Sequence, residues 1–203
     1  MLTISEALRL SLETVPPVQP IDLPLREAHG RVLAEDVIAP SPIPPWDNSA
    51  MDGFALRAQD THSARPIDQS VDTCLQTVTD PSDGPWLKVT ETIAAGSIGE
   101  HTVGNGQAAR IMTGAPIPRG ADAVVMVEHT RAENGTVQVH TRVQTGAHIR
   151  RAGSDVAGGS LVLSRGQTLT PAVVGLAAAV GRAQVTVARQ IRVGIVATGS
   201  ELV

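Results

Sequence analysis

Ala123-Val124-Val125-Met126-Val127 is an unbroken apolar run, and a short way downstream Val137, Val139 and Thr141 alternate with polar residues. Between them lies Asn134-Gly135, a pair suited to the two positive φ angles of a type I′ turn. The pattern predicts a β-hairpin with the first run as a buried strand and the second as its partner. Outward from this hairpin, the stretch from Trp46 to about Val143 reads as β with two interruptions. Gln59 to Pro85 is weakly periodic and rich in Asp, Ser, Thr and Pro, which predicts a surface excursion. Gly96 to Gly106 reads as loops or tight corners.

The flanks read differently. Thr3 and Glu6 stand at capping-box spacing, and Ile4, Leu8, Leu12 and Val15 then share one face of a helix that Pro16-Pro17 ends. A single apolar face implies packing against another helix or subunit. Ile21 to Ile38 predicts short strands around a turn at Gly30. Pro40, Pro42, Pro44 and Pro45 make a stiff connector and a candidate domain boundary.

On the far side, Gly146 to Gly159 is polar and Gly-rich, and Leu161 to Leu163 suits a strand. Thr170-Pro171 opens a helix that Gly181 closes. Ala183 to Ala188 and Ile191 to Ala197 are β runs. The second is apolar almost throughout, as in a parallel strand covered on both faces. Such a strand needs neighbours, so it is expected to open an unfinished domain. The expected fold is α+β and multi-domain. A discontinuous helical and β region spans 1–45 and 146–190, a mainly-β domain at 46–145 is inserted in it, and the first strand of a truncated α/β domain occupies 191–203.

The chain has 203 residues, 42% hydrophobic and 18% charged, which is globular composition. Trp46, Phe54 and Trp86 are its three aromatic residues, so the core must be aliphatic and base-stacking platforms are lacking. The net charge of −4 disfavours a general polyanion surface. No nucleic-acid partner is expected. Lys88 is the sole lysine, which leaves little room for lysine chemistry, and Cys74 is the sole cysteine, which excludes an internal disulfide or a zinc–cysteine cluster. The first residues lack the pattern of a signal peptide, and the longest apolar stretch, Ala172 to Val180, is too short to span a bilayer. A soluble, cytoplasmic protein without a membrane partner is expected.

Four loop segments carry candidate chemistry. The first is Asp47-Asn48-Ser49-Ala50-Met51-Asp52-Gly53. It suits either cation or polar-ligand binding, or a turn whose Asp and Asn satisfy their own backbone. The second is Arg110-Ile111-Met112-Thr113-Gly114-Ala115-Pro116, which offers a hydroxyl and free N–H groups to an anion, or is a proline-set corner. The third is His148-Ile149-Arg150-Arg151-Ala152-Gly153-Ser154-Asp155. Its paired guanidinium forks suit phosphate, with Asp155 as the local counter-ion in the simpler reading. The fourth, Thr198-Gly199-Ser200-Glu201, follows an apolar strand, where open α/β sheets bind ligands. The six histidines show no metal-ligand spacing, and no Walker A or nucleophile-elbow motif is present.

In this order, with Asp122-Ala123-Val124-Val125-Met126-Val127-Glu128 between the second and third, the segments resemble the molybdopterin molybdenumtransferase (MoeA-type) family, to which the enzymatic region of gephyrin is similar. The resemblance covers the chain from its first helix to its last residues. It implies insertion of molybdenum from molybdate into adenylated molybdopterin, with release of AMP and help from Mg²⁺. It also implies catalytic roles for Asp52, Thr113 and Glu201, with Asp52 and Glu201 at the metal. Substrate contacts would come from Ser49, Asp155, Arg150 and Arg151. A homodimer is implied, formed through the linker and dimerisation region at 1–45 and 146–190, with other proteins of molybdenum cofactor biosynthesis as candidate partners.

The family's α/β domain, which binds molybdopterin, and its C-terminal β domain extend well beyond Glu201. This chain is therefore expected to be inactive by itself. The rival readings are a non-catalytic dimerising scaffold or truncated paralogue whose partner supplies the α/β domain, and an unrelated β-rich ligand-binding module.

Overall fold

The computed structural model describes residues 2–66 and 84–194. Thr3 starts the first helix, α1 (Ile4–Glu13), through the expected capping box. Its hydroxyl accepts from the Glu6 N–H at 3.3 Å, and the Glu6 carboxylate accepts from the Thr3 N–H at 2.8 Å. Strand β1 (Pro20–Pro24) and the short β2 (Val37–Ile38) follow. The proline-rich passage, with a cis Ile43–Pro44 bond, leads into β3 (Asn48–Ser49) and β4 (Gly53–Leu56). Next come β5 (Arg65–Pro66), β6 (Trp86–Ile93), β7 (Gln107–Ile111), β8 (Ala123–Met126), β9 (Thr130–Glu133) and β10 (Thr136–Val139). The chain continues through β11 (Thr141–Arg142), β12 (Ile149–Arg150), β13 (Leu161–Leu163), α2 (Pro171–Ala179) and β14 (Gln184–Ala188). The described residues are mostly β, with two α-helices.

Contacts divide the chain into two units, one of residues 1–41 with 158–203 and one of residues 42–157. Residues 42–45 and 146–157, grouped with the flanks on sequence, pack with the inserted unit. Ile43 bridges Val156, and β12 pairs with β3.

The inserted unit is built on a six-stranded sheet in the order β8-β4-β7-β6-β10-β9. All four residues of β4 are buried because the sheet is covered on both faces. Phe54, Leu56, Leu87, Ala108, Val125, Val137 and Val139 pack on one side, and Ala55, Ile93, Ala109, Ile111 and Val124 on the other. Phe54 is the sole aromatic residue in this core among the described residues, while Trp46 and Trp86 are 49% and 44% exposed. The core is aliphatic, as the composition required.

Asn134 and Gly135 adopt φ of 49° and 77°, the left-handed pair of a type I′ turn. The hairpin they close is β9–β10, not β8–β10. A 3-10 turn at Val127–His129 breaks the chain after the apolar run, and β8 pairs with β4 three strands away from β10. Thr141 belongs to β11, which pairs in parallel with β5. Gly53 is required by contact: a Cβ there would lie 1.9 Å from the Val125 carbonyl oxygen.

The start of the expected excursion is only partly on the surface: Thr61 and Ala64 are buried, while Gln59, His62 and Ser63 are exposed. Just before it, Ala58 is buried. The Thr61 hydroxyl donates to the Ala58 carbonyl at 2.7 Å and accepts the Val143 N–H at 3.1 Å. Residues 67–83, the body of that segment with Cys74, lie outside the described residues.

In the flanking unit, β1 pairs antiparallel with β14 and β2 with β13. Thr170 caps α2 by accepting the Val173 N–H, Pro171 takes the first turn, and Gly181 follows the helix with φ 82°. The apolar face of α1 is uncovered in the single chain: Ile4, Leu8, Leu12 and Val15 are 89, 58, 62 and 52% exposed. The sequence expectation of a strand from Ile191 changes here. Residues 191–194 form no strand, and Ile191 and Val193 are 64% and 81% exposed, because no described strand lies beside them to supply a ladder. Residues 195–203, with the Thr198–Glu201 segment, lie outside the described residues.

Candidate functional site

Strand β3 is two residues long, yet it draws three of the four sequence segments together through the backbone. Asn48 and Ser49 pair with Arg150 and Ile149 on one side. On the other, the Ser49 N–H donates to the Ala115 carbonyl at 2.9 Å, and the Gly114 N–H donates to the Ser49 carbonyl at 2.8 Å. The Ile117 N–H reaches the Asp47 carbonyl at 3.0 Å, and the Ala50 N–H reaches the His148 carbonyl at 2.9 Å. The Asp-Gly, Thr-Gly and Arg-Arg turns therefore share one edge of the inserted unit. Backbone hydrogen bonds hold them, and these depend little on side-chain identity.

Asp52 is exposed. Its Oδ1 accepts from the Thr113 N–H at 2.7 Å and from the Thr113 hydroxyl at 2.8 Å. The Thr113 N–H, then its hydroxyl, hold the Asp52 carboxyl below the usual aspartate range; the Arg110 charge adds a smaller pull in the same direction. Both donors fall on Oδ1, and no described residue donates to Oδ2. Asp52 thus presents an ionised carboxylate with one oxygen that no described residue engages. Magnesium takes one or two protein carboxylates and completes its shell with water and phosphate, and one free carboxylate oxygen fits that demand. Among the described residues, no three His, Cys, Asp or Glu side chains gather to hold a metal.

The arginine turn is held by carboxylates. Arg151 donates to Asp47 Oδ2 at 2.5 Å, and the Ala152 N–H donates to Asp47 Oδ1 at 2.8 Å. The Ala152 N–H, then the Arg151 side chain, hold the Asp47 carboxyl below its usual range. Arg150 donates to Asp155 Oδ2 at 2.6 Å. Both arginine side chains are more than half exposed. Asp47 is the member of this cluster that sequence reasoning left without a role. Its partners lie more than a hundred residues away, and no local pattern reveals them. Ser49 turns inward: it is 1% exposed, and its hydroxyl donates to the Met51 carbonyl at 2.5 Å. Glu201 lies outside the described residues.

This fold is that of the amino-terminal part of the molybdopterin biosynthesis proteins. A solved structure of the molybdopterin biosynthesis MoeA protein from Pyrococcus horikoshii OT3 superposes with a TM-score of 0.76 at 37% identity, over 91% of this chain and 45% of that one. A second structure of the same name, from P. horikoshii, gives a TM-score of 0.78 at 29% identity. The chain belongs to the family described as MoeA N-terminal region (domain I and II), which it matches over residues 2–181. Molybdopterin molybdenumtransferase 2 of Mycobacterium tuberculosis is 44% identical across the whole chain, which covers 46% of that protein. Molybdopterin molybdenumtransferase of Synechococcus elongatus is 40% identical over 205 residues, with 47% of it covered. The chain therefore spans less than half the length of these curated relatives.

Proposed function

We propose that this chain serves molybdenum cofactor biosynthesis as the N-terminal part of a molybdopterin molybdenumtransferase, in which molybdenum from molybdate enters adenylated molybdopterin and AMP is released. The observation that carries the reading is the joining of Asp52 and Thr113, beside the Arg150–Arg151 turn, around β3. A cluster of this kind suits a doubly anionic substrate and a cation.

Asp52 would take part in holding Mg²⁺. Thr113 fixes the direction of the Asp52 carboxylate and lowers its pKa further, and its hydroxyl oxygen remains able to accept from a ligand. Arg150 and Arg151 hold substrate anions with the donors not engaged by Asp155 and Asp47. Asp155 and Asp47 set where those guanidinium groups point. Ser49 shapes the Asp-Gly turn from within. When bound, Mg²⁺ would neutralise phosphate charge and polarise the phosphoanhydride.

In this proposal the pterin and molybdate are held mainly by the part of the relatives that this chain does not cover. The chain alone would then release no AMP. The unit at residues 1–41 with 158–203 acts as linker and dimerisation region of a cytoplasmic homodimer, for which the bare apolar face of α1 is the support. The test is AMP release from adenylated molybdopterin with molybdate and Mg²⁺, comparing the 203 residues with a chain extended by the remaining part of a relative. Activity only in the extended chain is expected. A silent extended chain would count against the assignment and favour the second reading, a dimerising scaffold, which the same exposed α1 face also suits.

A further inference from the structure

Arg110 stands beside Asp52 and has no role in the reading above. It lies on β7, directly across from Phe54 on β4 and from Thr92 on β6. Among the described residues its side chain makes no ion pair and no hydrogen bond. Arg131, Arg150 and Arg151 are by contrast each paired with a carboxylate. Its charge reaches the Asp52 carboxylate, behind the two Thr113 hydrogen bonds.

Arg110 lines a groove of about 270 Å³ with Thr92, Phe54 and the tip of the β9–β10 hairpin at Glu133, Asn134 and Thr136. Three of the lining residues carry side-chain donors: Arg110 with its planar guanidinium fork, the exposed Thr92 with its hydroxyl, and Asn134 with its amide. Glu133 is the acid in the groove, and its carboxylate is occupied by Arg131 at 3.1 Å. The volume falls just below the ~300–1,000 Å³ of small-molecule pockets, enough for a phosphate with its sugar and too little for a pterin as well. Phe54 is only 2% exposed, so its ring offers no face for a base to stack on.

We propose that Arg110, with Thr92 and Asn134, forms a subsite for the phosphate and ribose of a nucleoside monophosphate, the base being left unread. The proposal rests on the molybdenumtransferase reading for its ligand, AMP being the product of that reaction; Phe54, which lines the groove, follows Asp52 by two residues. Charge-assisted, bidentate bonding of guanidinium to phosphate supplies the affinity. The Thr92–Arg110 register, set by the sheet, supplies the placement.

The test is an amide-detected NMR titration of the 203-residue chain with AMP, and in a separate arm with inorganic phosphate. AMP is expected to shift the amides of Thr92, Arg110 and Asn134, and Arg110→Gln should weaken AMP at least roughly tenfold. Thr92→Val should weaken it by a smaller factor. Arg110 is exposed, so an otherwise unchanged spectrum will show that the variant is folded. Three results would each overturn the subsite: equal AMP affinity of wild type and Arg110→Gln, AMP shifts confined to other residues, or no binding at millimolar AMP. Inorganic phosphate binding as tightly as AMP would overturn the nucleotide assignment. Failure of the extended chain to release AMP in turnover would instead sink the molybdenumtransferase reading, and the NMR result would still decide the groove.

Discussion

Thr113 donates twice to one oxygen of Asp52, through its amide and its hydroxyl, across 61 residues of sequence. Both residues sit on turns, and the turns are held in place by backbone bonds to β3 and β4 rather than by this contact. The Asp52 carboxylate is therefore placed first and tuned second. That order makes its chemistry separable from the stability of the fold.

Thr113→Ala should raise the Asp52 pKa only part of the way back to the ordinary 3.8, because the larger influence, the Thr113 N–H, remains. A carboxyl-carbon NMR titration of Asp52 reads this directly. The sign for stability follows from linkage: a carboxyl lowered in the folded state stabilises it above the unfolded pKa, and that gain is lost as pH falls through the folded value. The Asp52 contribution thus fades only below about pH 4, and the variant should narrow that acid window. An unchanged Asp52 titration would remove Thr113 from its proposed role.

Asp47→Ala should loosen the arginine turn. It removes the acceptor of both the Ala152 N–H and the Arg151 side chain. The Asp47 side chain is 37% exposed, so the loss is discounted for solvent screening to about 1 kcal/mol. Urea denaturation measures it. Hydrogen exchange at Ala152 should also quicken, while exchange in β7 should not.

Two glycine substitutions should act in opposite directions. Gly53→Ala places a methyl carbon 1.9 Å from the Val125 carbonyl oxygen inside the sheet, and should cost roughly 3 kcal/mol or prevent folding. Gly175→Ala lies in the exposed interior of α2 with nothing within 4 Å of the new atom. It should stabilise by about 0.5–1 kcal/mol. Thermal denaturation of the two proteins checks both signs.

The face of α1 offers a test of the proposed dimer. None of its residues is buried in the single chain, so Leu8→Glu with Leu12→Glu should barely alter the stability of a monomer. In a dimer sealed through that face it should produce monomers in sedimentation velocity. A dimer that survives the pair of charges would move the interface elsewhere.

Elements set by a few adjacent residues were legible from the sequence. The Thr3–Glu6 capping box, the Thr170–Pro171 start and Gly181 end of α2, and the Asn134-Gly135 turn all stand where local chemistry puts them. Strand partnership was not legible in the same way. The Asn134-Gly135 pair marks the turn but not the strand that enters it: a 3-10 turn of three residues after Met126 separates β8, which pairs with β4, from the hairpin. Likewise, the polar composition near Gln59 hid the buried Ala58, Thr61 and Ala64; the Val143 N–H donates to the Thr61 hydroxyl, and Val143 shares a core cluster with Ala58.

By itself, the sequence determined the helix caps, the hairpin turn, the aliphatic character of the core and the order of the Asp-Gly, Thr-Gly and Arg-Arg turns. Each of these depends on interactions within a few residues or on composition. Only the tertiary structure decided that those turns meet at β3, that Asp47 anchors Arg151, and that Arg110 has no ion-pair partner among the described residues. Such contacts join residues tens to a hundred positions apart. Their geometry is set by strand order and register, which arise from packing the whole sheet and leave no mark in any local stretch of the chain.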